Sequence, residues 1–432
     1  MKKKILAMFL LLTIAFSLAA GCSDNKGTTP QADGANSGQT STPDGKSASE
    51  ETVRITAFLP GTEDNATEAY YAIYENLKKK HSNIEFEITQ IPWADYFTKL
   101  NVSFSGDTAP DLYGVGLGQI GPVQASGNML PLDDYLTGWD GYEDIPSNVL
   151  DIGRKDGVLY CLPMLEMRIL WYRTDLFKEA GLDRPPQTLD EIYEYAKKLT
   201  KHDGSGNITM SGLEIGTGEQ SLFSVMLMHG ADTYWDENLK STMLEPKAQE
   251  ALKWCNTIMS EKLSDHTIMH DIQGTLFENG LAAMSFAGSS VFVTFANKLG
   301  LENIAVSTLP TEKYMIGCTA WSVYNGTDHP EDAIKMWKEI TSKEGQLIIA
   351  EKIGFVPTRK SAKEEYIAMN PDFNDVFFEA ASKAQAYGVT NKYFFEFVNN
   401  IRPLIDEVYY GQKEPEEAMV EFEKKYEAAK EQ

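Results

Sequence analysis

From Val53 to Gly114 the apolar pattern switches back and forth between a period of two and a helical period of about 3.6. Val53–Phe58 is a short β-run ended by Pro60-Gly61. Asn65–Lys80 follows with Ala69, Tyr70, Ile73 and Leu77 at helical spacing and Asp64 or Asn65 as the cap. Ile84, Phe86 and Ile88 then alternate with Glu85, Glu87 and Thr89, a strand with one wet face. A second helix around Tyr96–Val102 leads to Pro110-Asp111-Leu112-Tyr113-Gly114, a strand that stops in a Gly-rich loop. This βαβαβ order implies an α/β chain, a mostly parallel sheet with helices on both faces. The crevice of such a sheet lies beyond the carboxyl ends of its strands.

Ahead of this body, Lys2, Lys3 and Lys4 precede an apolar run from Ile5 to Ala20, and small residues lead into Cys22. A basic start, a short apolar core and a small-residue cleavage site make a secretory signal over residues 1–21, too short for a stable spanning helix. The junction Leu18-Ala19-Ala20-Gly21-Cys22 resembles a bacterial lipobox, in which the cysteine is lipidated and becomes the mature N-terminus; Ala19 stands where Leu is commoner. Residues 23–50 are mostly Gly, Ser, Thr, Pro, Asn and Asp with no large apolar side chain, so they cannot bury enough surface to offset chain entropy. They are expected to form a tether between a lipid on Cys22 and the folded body, on the outer side of the membrane.

The 39 Lys and Arg against 63 Asp and Glu give a formal charge of −24, and loss of the leader lysines lowers it by three more. Polyanion binding needs clustered basic residues, and nothing beyond Lys78-Lys79-Lys80 offers that, so nucleic acid is excluded as a partner. With Cys22 lipidated, Cys161, Cys255 and Cys318 remain, in no CxxC or Cys/His spacing, and read as small buried hydrophobes. His266 and His270 stand one turn apart but lack the H-E-x-x-H glutamate; a solvated pair is the better reading. Asp203, Ser205, Asn207 and Glu214 have calcium-loop spacing, yet Ile208 occupies the place that requires Gly, which favours a tight turn. No metal and no cofactor are expected. There is neither a G-x-S-x-G elbow nor a G-x-x-x-x-G-K-[ST] loop.

Residues 157–181, GVLYCLPMLEMRILWYRTDLFKEAG, are followed by Pro185-Pro186-Gln187-Thr188-Leu189-Asp190-Glu191. Gly157, Tyr160, Pro163, Tyr172, Asp175-Leu176-Phe177, Thr188, Asp190 and Glu191 fall where the extracellular solute-binding proteins of ABC importers, family 1, carry theirs; Arg173-Thr174 and Leu189 depart from that pattern. Phe277 to Met284, Leu309-Pro310, Gly317 to Val323, Pro330 to Ile340, Ser342 to Gln346, Gly354-x-x-Pro357 and Gly411 with Glu416-Glu417-Ala418 continue it in family order. The chain therefore resembles this family, the group that includes maltose-binding protein. Thr188 with Glu191 also reads as a capping box opening a helix whose buried stripe is Leu189, Ile192, Ala196 and Leu199.

The resemblance implies a two-lobe, periplasmic-binding-protein-like fold of the class II type, closing over a ligand by hinge motion. Lobe one is expected to be 51–165 with 309–342 and lobe two 166–308 with 343–432, with crossings near Leu162–Glu166, Ser307–Pro310 and Ser342–Gln346. It implies a receptor, not an enzyme: a lipid-anchored monomer that binds a small solute, expected to be a sugar, and delivers it to the transmembrane subunits of an ABC permease. A sugar site wants flat aromatics for stacking and carboxylates, amides or Arg for hydroxyls. The expected ligand-binding residues are Thr62, Glu63, Trp93, Asp95, Tyr113, Glu166, Trp235, Trp321 and Phe394, with Asp111 more readily a structural turn residue. The other class these features allow is a lipoprotein glycoside hydrolase, which needs two carboxyls at a fixed separation across one bond.

Overall fold

The computed structural model describes residues 51–431 apart from 62–63, 107, 217, 237, 266, 268–271, 273 and 386–390. The expected Cys22 anchor, Thr62, Glu63 and the His266/His270 pair lie outside the described residues. The strands of the main sheet are β1 (Val53–Pro60), β2 (Ile84–Ile91), β3 (Leu112–Gly116), β4 (Cys161–Arg173), β5 (Met284–Gly288), β6 (Ile304–Ser307), β7 (Tyr314–Val323) and β8 (Ala384–Gln385). They join in one curled sheet of order β6-β4-β7-β3-β1-β2, with β5 also on β4 and β8 on β7. The parallel part is β2-β1-β3, as the βαβαβ pattern requires. β7 meets β3 and β4 antiparallel, and β5 and β6 meet β4 antiparallel. β4 and β7 are long strands whose longer pairings are antiparallel, while the short β8 joins β7 parallel.

β4 changes partners along its length. Its residues Cys161–Met167 pair with β7, and Arg168–Tyr172 pair with β5. The partner therefore changes between Met167 and Arg168.

The principal helices are α1 (Asp64–Lys80), α2 (Trp93–Ser105), α3 (Leu189–Leu199), α4 (Glu219–Met228), α5 (Pro246–Ser260), α6 (Pro330–Ile340), α7 (Lys343–Ile353), α8 (Pro371–Ser382), α9 (Phe394–Tyr409) and α10 (Pro415–Lys430). α1 buries Ala69, Tyr70, Ile73 and Leu77, the stripe read from the sequence, and packs on α6 and α7. α3 buries Ile192, Ala196 and Leu199, and its cap Thr188 accepts from Glu191 N–H at 3.1 Å. The return bond of the expected capping box goes elsewhere: Glu191 accepts from Gln187 N–H at 2.7 Å and pairs with Arg184. α9 packs against α10, α5 and α4, and α8 covers β4 and β6. No described helix is long and apolar enough to cross a membrane.

The three body cysteines are free and buried. Burial pushes the Cys161 and Cys255 thiols up to about 12 and holds the Cys318 thiol well above its usual value, so all three behave as apolar side chains. Asp203 accepts from the N–H groups of Ser205 and Asn207 at 2.8 and 2.9 Å, the tight turn favoured by Ile208. Glu214 is turned away from it, accepting from Leu276 and Phe277 N–H and from the Ser285 hydroxyl.

Candidate functional site

The carboxyl ends of β1, β2 and β3 face β4, α4 and α9 across a cleft of about 920 Å³, within the range of small-molecule sites. Pro92 precedes α2, and its fixed φ of −54° sets the turn into the helix so that Trp93 becomes the first helical residue at the end of β2. The Trp93 indole lies over the backbone of Gly116, where a Cβ would stand 3.4 Å from it. Beyond β3, Gln119 accepts from Gly116 N–H at 3.0 Å and fixes the glycine loop. Phe394, the first residue of α9, presses on Gly118 so closely that a Cβ there would lie 2.0 Å from its ring. One turn into α2, Phe97 stacks on Phe395 of α9 with ring centroids 4.0 Å apart. The two sides of the cleft thus meet through aromatic rings.

Polar groups come chiefly from the opposite wall. Glu166 and Arg168 are two residues apart on β4, so the strand period puts both on the cleft face. Room for the Glu166 carboxylate is made by glycines on both neighbouring strands: a Cβ at Gly288 of β5 would sit 1.5 Å from it, and one at Gly317 of β7 would sit 2.9 Å away. Arg168 lies 3.6 Å from Glu166 and donates to the Gln220 side chain, while its Nε is buried without a partner. Arg402 of α9 makes a forked pair with Glu219 at 2.5 and 3.0 Å, which raises the guanidinium pKa further. Glu396 Oε2 is buried without a hydrogen-bond partner. Pro403 has no N–H, so the carbonyl of Asn399, which lines the cleft, has no helical donor four residues on.

Of the expected site residues, Trp93, Glu166, Trp235 and Phe394 come together on the cleft. Trp93 is 44% exposed. Trp235 differs: it is 6% exposed, wedged edge-on against Phe397 at 5.0 Å and Phe394 at 6.3 Å, so most of its indole is core. Tyr113 is not on the cleft. It is fully buried, donates to the Asn128 carbonyl at 3.0 Å, and burial holds its hydroxyl far above the usual pKa. Trp321 is likewise core, because it lies inside the long strand β7; its Nε1–H donates to the Tyr70 hydroxyl at 2.9 Å, and Tyr70 lines the cleft. Asp95 lies on the solvent face of α2, 3.6 Å from Lys99. Asp111 is a structural residue, accepting from Thr56 N–H and hydroxyl at 2.8 and 2.9 Å.

Sequence reasoning missed Arg168, Glu219, Gln220, Phe97, Phe395, Glu396 and Arg402. Arg168 was within reach, since it follows Glu166 by one strand period. Glu219 and Arg402 stand 183 residues apart, and no local pattern ties them. Flat rings around paired and unpaired hydrogen-bonding groups suit a ligand with apolar faces and a rim of hydroxyls.

Residues 61–347 match the profile of the bacterial extracellular solute-binding proteins. The diacetylchitobiose binding protein DasA of Streptomyces coelicolor is 22% identical over 386 residues, covering 84% of this chain and 83% of that protein. Lipoprotein LipO of Bacillus subtilis is 26% identical over 215 residues, covering 48% of this chain and 38% of LipO. An ABC substrate-binding protein of Listeria monocytogenes in complex with cycloalternan superposes with a TM-score of 0.79 at 20% identity, covering 88% of this chain and 100% of that one. The likeness shows the fold, the two-lobe α/β architecture of periplasmic binding proteins.

Proposed function

The chain belongs to the bacterial extracellular solute-binding proteins, and from that premise we propose that it is a lipid-anchored, extracytoplasmic, monomeric receptor that captures a sugar or oligosaccharide and hands it to an ABC permease. The observation that carries the reading is the cleft itself: Trp93, Phe394 and Phe395 supply ring faces, while Arg168 Nε and Glu396 Oε2 are buried polar atoms without partners. Buried polar groups cost stability unless a hydrogen bond satisfies them, and a saccharide hydroxyl can serve both a donor and an acceptor. The ligands named for the DasA protein and the Listeria structure support a saccharide. The Ala20-Gly21-Cys22 junction and the likeness to LipO support the anchor.

Lobe one is taken as 51–165 with 309–342 and lobe two as 166–308 with 343–432, adjusted at the last boundary. α7 packs on α1, which argues that the third passage follows Ile353 rather than running through Ser342–Gln346. The hydrolase alternative is weaker, because Glu166 and Glu219 each have an arginine beside them and a glycosidase needs two carboxyls free to act on one bond. A thermal-shift screen over mono- and oligosaccharides tests the proposal. A ligand at a hundred times its Kd adds about 2.7 kcal/mol and raises Tm by several degrees. Unchanged Tm across the whole saccharide panel would overturn the reading.

A further inference from the structure

Among the described residues lining the cleft, the acidic and basic side chains are Glu166, Arg168, Glu219, Glu396 and Arg402. Both cations already face a carboxylate, and Arg168 keeps only its buried Nε–H without a partner. Arg402 forks onto Glu219, and Arg168 lies 3.6 Å from Glu166 while donating to Gln220. The third carboxylate, Glu396, is left with a buried, unpartnered Oε2. An ionised carboxylate only accepts, so it welcomes O–H or N–H and repels an anionic oxygen.

Helix N-termini are the other common anion sites, and here they are already answered. α4 carries Glu219 in its first turn, α9 carries Glu396 and α2 carries Asp95. The whole chain adds a negative field of its own, with a formal charge of −24.

We propose that the cleft selects its ligand by charge, accepting uncharged or amine-bearing saccharides and rejecting those that carry carboxylate, sulfate or phosphate. This rests on the saccharide-receptor reading. Each bound ring lies against the Trp93 and Phe394 faces, and a hydroxyl or ammonium hydrogen satisfies Glu396. A uronate or phosphate placed there meets the Glu396 carboxylate, while each cleft arginine already faces a carboxylate of its own.

Calorimetric titration with matched pairs tests this: maltotriose, mannotriose and diacetylchitobiose, their C6-oxidised uronates, the deacetylated amine form of chitobiose, and glycerol 3-phosphate. The neutral or amine-bearing member is expected to bind at least tenfold tighter than its uronate at low salt, with no measurable glycerol 3-phosphate binding. Glu396→Gln is expected to narrow the gap by severalfold while keeping the shape of the site. Equal or tighter binding of an anionic member overturns the proposal, as does a gap that persists unchanged in folded Glu396→Gln. Should that variant not fold, the wild-type ratio decides alone. If no saccharide of any charge binds, the receptor reading itself falls and takes this inference with it; if neutral and anionic members bind equally, the receptor stands and only the charge selection fails.

Discussion

Trp93 and Trp235 both touch the cleft, yet they are different kinds of residue. Trp93 is 44% exposed and meets Tyr96 tilted at 57° with centroids 5.8 Å apart, so Trp93→Ala should weaken saccharide binding severalfold and barely move the Tm of the free protein. Trp235, packed between Phe394 and Phe397, and Trp321, bonded to Tyr70, should instead cost about 3–5 kcal/mol of stability when truncated. Urea unfolding and titration of each variant separate the two behaviours; a large stability loss for Trp93→Ala would return it to the core. Trp93 was legible locally, as an aromatic just past a strand end, while Glu166, Trp235 and Phe394 were reached through the resemblance to the family. Sequence reasoning misplaced Tyr113 and Trp321 for a physical reason: whether an indole caps a strand or sits inside one depends on which distant strands flank it. Trp321 is opposite Leu162 on one side and Gly114 on the other.

At the scale of elements, the cleft is shaped by what neighbouring strands leave out. Gly288 and Gly317 flank Glu166, and at Gly288 even a methyl group would overlap the carboxylate. Gly288→Ala should therefore expel the Glu166 side chain and lower saccharide affinity about as much as Glu166→Ala. The double variant should then lose little more than either single one, because both remove the same contact. Fully additive losses in the double-mutant cycle would show that Gly288 acts on something else. The β1–β3 segment was legible because each strand and helix announces itself within a dozen residues. The reach of β4 was not: its 13 residues take partners from β7, β5 and β6, all more than a hundred positions later. α9 was equally hidden, since Phe394 and Phe395 gain their roles only by meeting Gly118 and Phe97.

For the molecule as a whole, attachment and closure are separate questions. Cys22→Ala should shift the protein from the membrane fraction to the medium without changing its circular dichroism; retention after a high-salt wash would end the lipid-anchor proposal. On the proposed two-lobe arrangement, the Phe97–Phe395 stack joins α2 to α9 across the mouth, a contact worth about 0.5–1.5 kcal/mol beyond its buried area. Phe97→Ala should loosen the mouth, seen as a larger radius of gyration in solution scattering and a bigger contraction when saccharide is added. Identical scattering from wild type and variant would mean that the stack does not hold the lobes together. β4 carries a different implication. One half of it is hydrogen-bonded to β7 and the other to β5, so melting either lobe strips one side of a strand the other lobe still needs. Heat should take both apart in one cooperative step, with the calorimetric enthalpy equal to the van't Hoff value, and two resolved endotherms would mean that the shared strand does not couple the lobes.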